Sequence, residues 1–368
     1  TPHLLWQQHH LGEMKAELVK KNQFWQLELA GVFTKGQIQI PLDFNSHIPL
    51  KLQMEYINFS NFHAIKSPEK NNHFTQNITA IPLLMAHSDH LFWRGIDLGI
   101  LDIHTQRQLQ GLIFDQVSLI HPSHQLHLAG SWQQIDQQNE THFWGKGQIP
   151  ELGEWLKYLQ FDQPVIDAAT EIQLNLNWSD APYQFSLAKL NGDLKFAIEA
   201  GRLTNVEPGL GRILGIVAMN QWLKRLQFDF SDVYQQGLSF NQIRGGFELI
   251  NGIAFTRQFD VDSIPAMIHA QGTIDLAHQT LDQRIVVLPK SSEALPIAGT
   301  IIDNILTVFT QNLTGDREDG FYLRSKYHLG GQWQNPTVTA LHSQDGLLPK
   351  LGRALTDFSW MNYLNTGL

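Results

Sequence analysis

Glu171-Ile172-Gln173-Leu174-Asn175-Leu176-Asn177-Trp178 is the stretch on which the fold turns. Every even position is apolar and every odd position polar. A side-chain period of two puts Ile172, Leu174, Leu176 and Trp178 on one face of an extended strand. Working outward, the same rule recurs. From Ile264 to Leu276 the even positions hold Ile, Ala, Ile, Ala, Gly, Ile and Leu. Leu50, Leu52, Met54 and Tyr56 alternate with Lys51, Gln53 and Glu55, and Trp25, Leu27 and Leu29 with Gln26 and Glu28. Shorter runs of the same kind stand at Gln37 to Leu42, Gln125 to Leu128, Tyr183 to Leu187, Leu194 to Ile198, Phe247 to Leu249 and Arg284 to Val287. Asn191-Gly192-Asp193 and Asn251-Gly252 supply hairpin turns. The reading is a chain of one-sided antiparallel strands in meander order.

Helical patterning is confined to three stretches. Pro150 to Leu159 groups Leu152, Trp155, Leu156 and Leu159 on one side. Residues 209–226 place Leu210, Ile213, Leu214 and Val217 on one stripe and end in Lys224-Arg225, where the helix dipole favours cations. Residues 295–313 carry Ile301, Ile302, Ile305 and Phe309 on an apolar face opposite Asp303, Asn304, Thr307 and Gln311, an amphipathic helix fit to meet a membrane or a partner or to cap a sheet. A weak theme repeats along the chain: Gly36-Gln37-Ile38, Gly130-Ser131-Trp132, Gly147-Gln148-Ile149, Gly272-Thr273-Ile274 and Gly331-Gln332-Trp333.

Composition narrows the function. The chain has 368 residues, a net charge of −9 and only 17% charged residues, against roughly 25% in an average soluble chain. No basic run exists to neutralise phosphates, which argues against nucleic acid and against polybasic docking to anionic lipid. With no cysteine, disulfide scaffolds, iron–sulfur clusters and cysteine zinc sites are excluded. No segment reaches about 18 consecutive apolar residues, so no transmembrane helix is expected within it. The chain opens on Thr1-Pro2-His3 with no signal peptide, and it reads as a piece of a longer protein whose membrane anchor lies upstream.

Few residues suggest chemistry. His87-Ser88-Asp89-His90 and His121-Pro122-Ser123-His124 have paired histidines, but no third ligand converges in sequence, so no metal site is expected. Asp229 and Asp232 have the spacing of a carboxylate pair but sit at a helix-to-strand junction, where a turn or cap role suits them. No nucleophile elbow, zinc-protease helix or phosphate loop occurs. The sequence thus implies no catalytic group, no metal and no cofactor. Alternation by itself leaves two architectures open: an exposed apolar trough, or apolar faces closed on each other as a sandwich or barrel.

A resemblance bears on that choice. In order, the chain carries Trp178-Ser179-Asp180-Ala181-Pro182, Leu190-Asn191-Gly192-Asp193-Leu194, Glu199-Ala200-Gly201-Arg202-Leu203, Pro208-Gly209-Leu210-Gly211-Arg212, Gln227-Phe228-Asp229-Phe230, Gly237-Leu238-Ser239-Phe240, Gly272-Thr273-Ile274-Asp275-Leu276, Val286-Val287-Leu288-Pro289 and Gly330-Gly331-Gln332-Trp333. This ordered set resembles the C-terminal region of the AsmA-like family, in its YhdP-type branch. Lys224-Arg225 and Phe240-Asn241 depart slightly from the family pattern, and Asn241 speaks against a catalytic carboxylate there. The resemblance implies a mainly β fold with a few α-helices: an elongated, curved antiparallel sheet forming a repeating β-groove with an apolar concave face. It implies a bridge-like lipid transfer protein in the periplasm of a Gram-negative bacterium, anchored in the inner membrane, moving phospholipid toward the outer membrane without enzymatic chemistry.

The groove floor is then expected at Trp25, Leu27, Leu29, Leu52, Met54, Ile172, Leu174, Leu176, Phe196, Ile198, Ile268 and Ile274. The expected organisation is a groove segment over 1–150, a C-terminal family region over 151–345 with the helices 209–226 and 295–313, and a tail over 346–368. Beyond phospholipid, the inner leaflet of the outer membrane or an envelope protein is the expected partner of Ile301, Ile302, Ile305 and Phe309. The competing reading is an envelope scaffold that binds a protein or membrane through those helices.

Overall fold

The structure is a computed structural model that describes residues 5–6, 9–10, 13–44, 46–59, 78, 81–136, 138–159, 165–203, 238–264, 266–289, 325–333 and 336–341. The helices expected at 209–226 and 295–313, Asp229 and Asp232, and the tail lie outside the described residues. The alternating segments form the strands β1 (Leu5–Trp6), β2 (His9–His10), β3 (Met14–Lys20), β4 (Phe24–Gly31), β5 (Thr34–Pro41), β6 (Leu50–Asn58), β7 (Leu84–Trp93), β8 (Ile96–Asp97), β9 (Ile100–Gln108), β10 (Gly111–His121), β11 (His124–Ile135) and β12 (Gln138–Ile149). Helix α1 (Leu152–Tyr158) follows, then β13 (Val165–Asp167), β14 (Thr170–Trp178), β15 (Asn191–Ile198) and β16 (Gly201–Leu203). The chain continues with β17 (Leu238–Ile250), β18 (Ile253–Ser263), β19 (Ala266–Asp275), β20 (Thr280–Pro289), β21 (Ser325–Gln332) and β22 (Thr337–Ala340). The fold is mainly β and dominated by antiparallel pairing, as the period-two pattern requires.

The chain divides into two compact units, 1–150 with 171–194 and 151–170 with 195–368. In the first, β3 to β6 form an antiparallel meander. β6 then pairs parallel with β7, and β7, β9, β10, β11 and β12 continue antiparallel. β14 extends the same sheet beside β12. In the second unit β13, β16, β17, β18, β19, β20, β21 and β22 pair in that order, all antiparallel.

At Gly36 and Gly272 the Gly-x-Ile theme has a steric cause, whereas a Cβ on Gly147 would meet only ordinary contacts. Gly36 has a positive φ of 149°, beside a register shift against β6. A Cβ there would lie 2.5 Å from the carbonyl oxygen of Gln53. Gly272, with φ 151°, is in the same position: its Cβ would lie 2.1 Å from the carbonyl oxygen of Asp282. Only glycine lets the neighbouring strand approach so closely at such a backbone angle.

Helix α1 is shorter than the Pro150-to-Leu159 pattern. Glu151 caps it, its carboxylate accepting from the Gly153 amide at 3.0 Å. Leu152 and Leu156 are buried, and the Leu152 amide donates to the Ala168 carbonyl at 3.1 Å. The helix packs on β13, where Val165 is buried against its register partner Leu203 of β16 in the core of the second unit.

The stretch Tyr183 to Leu187 corrects the sequence reading: it is no strand. Pro182–Gln184 and Leu187–Lys189 are two 3₁₀ turns. Pro182 fixes φ at the first turn and lacks an amide to pair with a neighbouring strand. Its alternation is an accident of composition, and Tyr183, Phe185 and Leu187 are exposed. Among the described residues no helix is long and apolar enough to cross a membrane.

Candidate functional site: an apolar face of the first unit

The register of the first sheet aligns its apolar side chains into rows that run across the strands. One row passes through Leu18, Leu27, Ile38, Leu52, Ala86, Ile103, Val117 and Leu128 to Gly145. Two residues along, a second passes through Ala16, Leu29, Gly36, Met54, Ser88, Leu101, Leu119 and Leu126 to Gly147. A Cβ placed on Gly147 would lie 3.7 Å from the Cβ of Ile172, which carries the second row onto β14. Nine strands at the usual interstrand spacing make each row roughly 38 Å long, and the rows stand roughly 6.8 Å apart.

This face is not sealed. Leu27, Leu29, Ile38, Leu52, Leu101, Ile103, Val117, Leu119, Leu126 and Leu128 all remain partly solvent-accessible. So do Trp25, Ile172, Leu174 and Leu176, while the alternate residues Lys51, Gln53, Glu171, Gln173 and Asn175 point out to water. Half-covered apolar rows of this extent are unusual for a face that meets only solvent. Its polar members are tied to the backbone: Ser88 Oγ donates to the His90 carbonyl at 2.8 Å, Thr105 Oγ1 to the Leu84 carbonyl at 3.3 Å, and Thr141 Oγ1 to the Asp180 carbonyl at 2.6 Å.

At one edge the face is dry. Leu112, Trp132, Ala181 and Ile78 form a buried cluster against Ile81, Leu83 and Phe114. Aromatic rings extend it: Phe114 meets Phe143 at 5.1 Å, Phe143 meets Trp178 at 5.9 Å, and Trp132 meets Tyr183 edge-on at 5.9 Å. The Trp178 indole donates to the Ala181 carbonyl at 3.2 Å. This cluster anchors the 3₁₀ turns onto the strand ends.

The opposite face is polar and carries cross-strand His–Asp pairs. His87 Nδ1 meets Asp102 at 2.7 Å and its Nε2 meets Asp89 at 3.1 Å. His104 meets Asp115 at 2.7 Å. Near the end of β7, His90 meets Asp97 at 2.6 Å. The hydrogen bond to Asp102 is the main reason the His87 imidazole is held above its ordinary range. In the turn His121-Pro122-Ser123-His124, both rings reach Ser123 Oγ, at 2.7 and 3.1 Å. Burial pushes His124 down. Among the described residues no three His, Asp or Glu side chains group as metal ligands.

The twelve residues expected to form the groove floor divide between the two units. Trp25, Leu27, Leu29, Leu52, Met54, Ile172, Leu174 and Leu176 belong to the first; Met54 is already buried within its row. Phe196, Ile198, Ile268 and Ile274 belong to the second, where Ile198 and Ile268 have almost no exposed surface. Phe196 lies against β17, its ring filling the space over Gly245 and stacking on Phe247 at 6.1 Å. Ile301, Ile302, Ile305 and Phe309 lie outside the described residues. Sequence reading missed Ile103, Val117 and Leu119. On β9 the polar face also carries Ile100, and on β10 a bulge between Phe114 and Gln116 switches the apolar positions from even to odd, so neither strand alternates cleanly.

A family model described as YhdP protein matches residues 1–338. The intermembrane phospholipid transporter YhdP of Escherichia coli (strain K12) is 23% identical over 219 residues. That alignment covers 58% of this chain and 17% of the relative, so the chain spans a small part of that protein's length. No solved structure matches significantly. With its one-sided antiparallel strands and a family match over most of its length, the chain belongs to the YhdP family.

Proposed function

We propose that this chain is a segment of a non-enzymatic phospholipid conduit between the inner and outer membranes of a Gram-negative envelope, with acyl chains lying along the apolar face of the first unit. The single observation that carries the reading is the pair of register-aligned rows from β3 to β12, most of whose apolar members stay partly exposed. The similarity to a phospholipid transporter supports the choice of ligand. The residues expected to touch lipid are Trp25, Leu27, Leu29, Leu52, Ile172, Leu174 and Leu176, together with Ile38, Ile103, Val117 and Leu128.

The physics suits sliding. Each methylene fully withdrawn from water is worth roughly 0.8 kcal/mol, so a chain of about 16 carbons has on the order of 12 kcal/mol at stake, of which an open face recovers the part that it covers. Because most strands in the first row offer an aliphatic side chain, a lipid moving along it exchanges one apolar contact for another, with only Ala86 and Gly145 smaller. Ser88, Thr105 and Thr141 already have backbone partners, so none of them is left to hold a headgroup or snag a chain. On this reading the longer protein works in the periplasm with an anchor in the inner membrane, and its role is maintenance of the outer-membrane barrier.

The test is direct. The purified chain is extracted and its bound lipid identified by mass spectrometry, with a replacement of Leu52 or Leu174 by Asp as the control. Co-purifying phospholipid that the replacement removes supports the proposal. A protein free of phospholipid that also takes none up from vesicles overturns it.

A further inference from the structure

Both units are built mainly of antiparallel strands, yet they treat their apolar rows differently. In the second unit Ile243, Val261, Ile268 and Val287 are successive register partners across four strands. Ala270, Ile285 and Tyr327 form the adjacent row. All seven are buried, and Ile243, Val261 and Ile285 have 0% of their surface exposed. The matching rows of the first unit are partly exposed at most positions, from Leu27, Ile38 and Leu52 to Leu119, Leu126 and Leu128, although Met54, Ala86 and Ser88 within them are buried.

The polar groups differ in the same sense. On the apolar side of the second unit, Gln283 and Thr256 are both buried, and Gln283 Nε2 donates to Thr256 Oγ1 at 2.9 Å. The bond passes over Gly272, the register partner of both. It is a polar bridge along the row of Thr256, Gly272 and Gln283, which lies beside the row of Ala270 and Ile285. An acyl chain following that row would have to lift the bridge and leave a buried amide and hydroxyl without a partner, each keeping its full desolvation penalty. Ser263 closes a further turn, its Oγ donating to the Ala266 carbonyl at 2.6 Å. Neither row of the first unit carries such a bridge among its described residues, because Ser88 and the neighbouring Thr105 and Thr141 bond to backbone carbonyls instead.

We infer that the lipid path is confined to the first unit and that the second is a closed, dry core that acyl chains do not enter. The inference rests on the proposed lipid function and adds where the path stops. Ile198 and Ile268, expected on the groove floor, become structural core positions. The second unit then serves the fold and stays outside the path.

The chain contains no cysteine, so single thiols report accessibility site by site. Leu52→Cys and Leu128→Cys probe the first unit; Ile268→Cys and Ile285→Cys probe the second. Each variant of the whole chain is delipidated and treated with a water-soluble maleimide, with and without vesicles of phosphatidylethanolamine and phosphatidylglycerol. Its labelling is compared with that of the same variant after denaturation. The thiols at 52 and 128 should react readily, and lipid at about ten times its Kd should slow them roughly tenfold. Those at 268 and 285 should stay unreactive in both conditions and react only after denaturation. Val287→Cys replaces either core variant if circular dichroism shows it unfolded. Reaction at 268, 285 or 287 that lipid suppresses overturns the confinement and leaves the lipid function standing. Absence of lipid protection at 52 and 128 overturns the lipid function itself.

Discussion

The sharpest consequence of a half-exposed floor is that a charge placed on it should block lipid and spare the fold. Leu52 lies in the middle of its row, between Ile38 and Ala86, and is partly solvated. Fully burying a leucine is worth about 1.5–3 kcal/mol, so Leu52→Asp should destabilise the fold by only about 1–2 kcal/mol. Its effect on lipid is larger. One strand crossing of about 4.8 Å carries roughly four methylenes, whose contact is worth about 3 kcal/mol. Losing it should weaken lipid occupancy on the order of a hundredfold. Ile285→Asp is the contrast. Ile285 is fully buried, and an unpaired carboxylate there combines cavity loss with desolvation. That cost is at least about 5 kcal/mol, comparable with the whole stability of an ordinary fold. The assay pairs urea denaturation with mass-spectrometric lipid loading. If Leu52→Asp unfolds the chain as Ile285→Asp does, the first unit is a sealed core. If it folds and loads lipid at the wild-type level, the row is not the path.

Other outcomes follow from the packing. Gly272→Val should lower the urea midpoint by the equivalent of about 1–3 kcal/mol or more, since both the backbone angle and the Asp282 carbonyl oppose a side chain there; an unchanged midpoint would refute the steric account of the Gly-x-Ile theme. Trp132→Ala should cost about 3–5 kcal/mol by emptying the aromatic cluster, read by the same denaturation curve. The His87–Asp102 pair should make stability depend on pH. The imidazole is raised in the folded state, so the pair's contribution is full below the ordinary histidine value of about 6.5 and is lost as pH rises through the raised folded value. The difference in urea midpoint between wild type and Asp102→Asn should therefore be larger at about pH 6 than at about pH 9; a difference that grows with pH would refute the assignment.

Some of this was legible one strand at a time. The alternation at Glu171–Trp178, Trp25–Leu29 and Leu50–Tyr56 set which side chains share a face, because consecutive residues of a strand must point opposite ways. The Gly-x-Ile theme was visible as a pattern, although its cause at Gly36 and Gly272, a neighbouring carbonyl within 2.5 Å of a would-be Cβ, was not. Local pattern misled at Tyr183 to Leu187, where Pro182 and the aromatic cluster favour turns over pairing. It was silent on β9 and β10, where Ile100 and a bulge hide the apolar row.

What the sequence determined by itself is therefore the one-sidedness of the strands and, through its ordered motifs, the family. The tertiary structure alone decided which apolar faces stay open. Leu52 and Ile268 occupy the same kind of alternating position, yet one is partly exposed and the other buried. Periodicity is a property of neighbouring residues along one strand. Coverage depends on the register of strands far apart in sequence and on what packs over them, as the Gln283–Thr256 bridge across Gly272 shows.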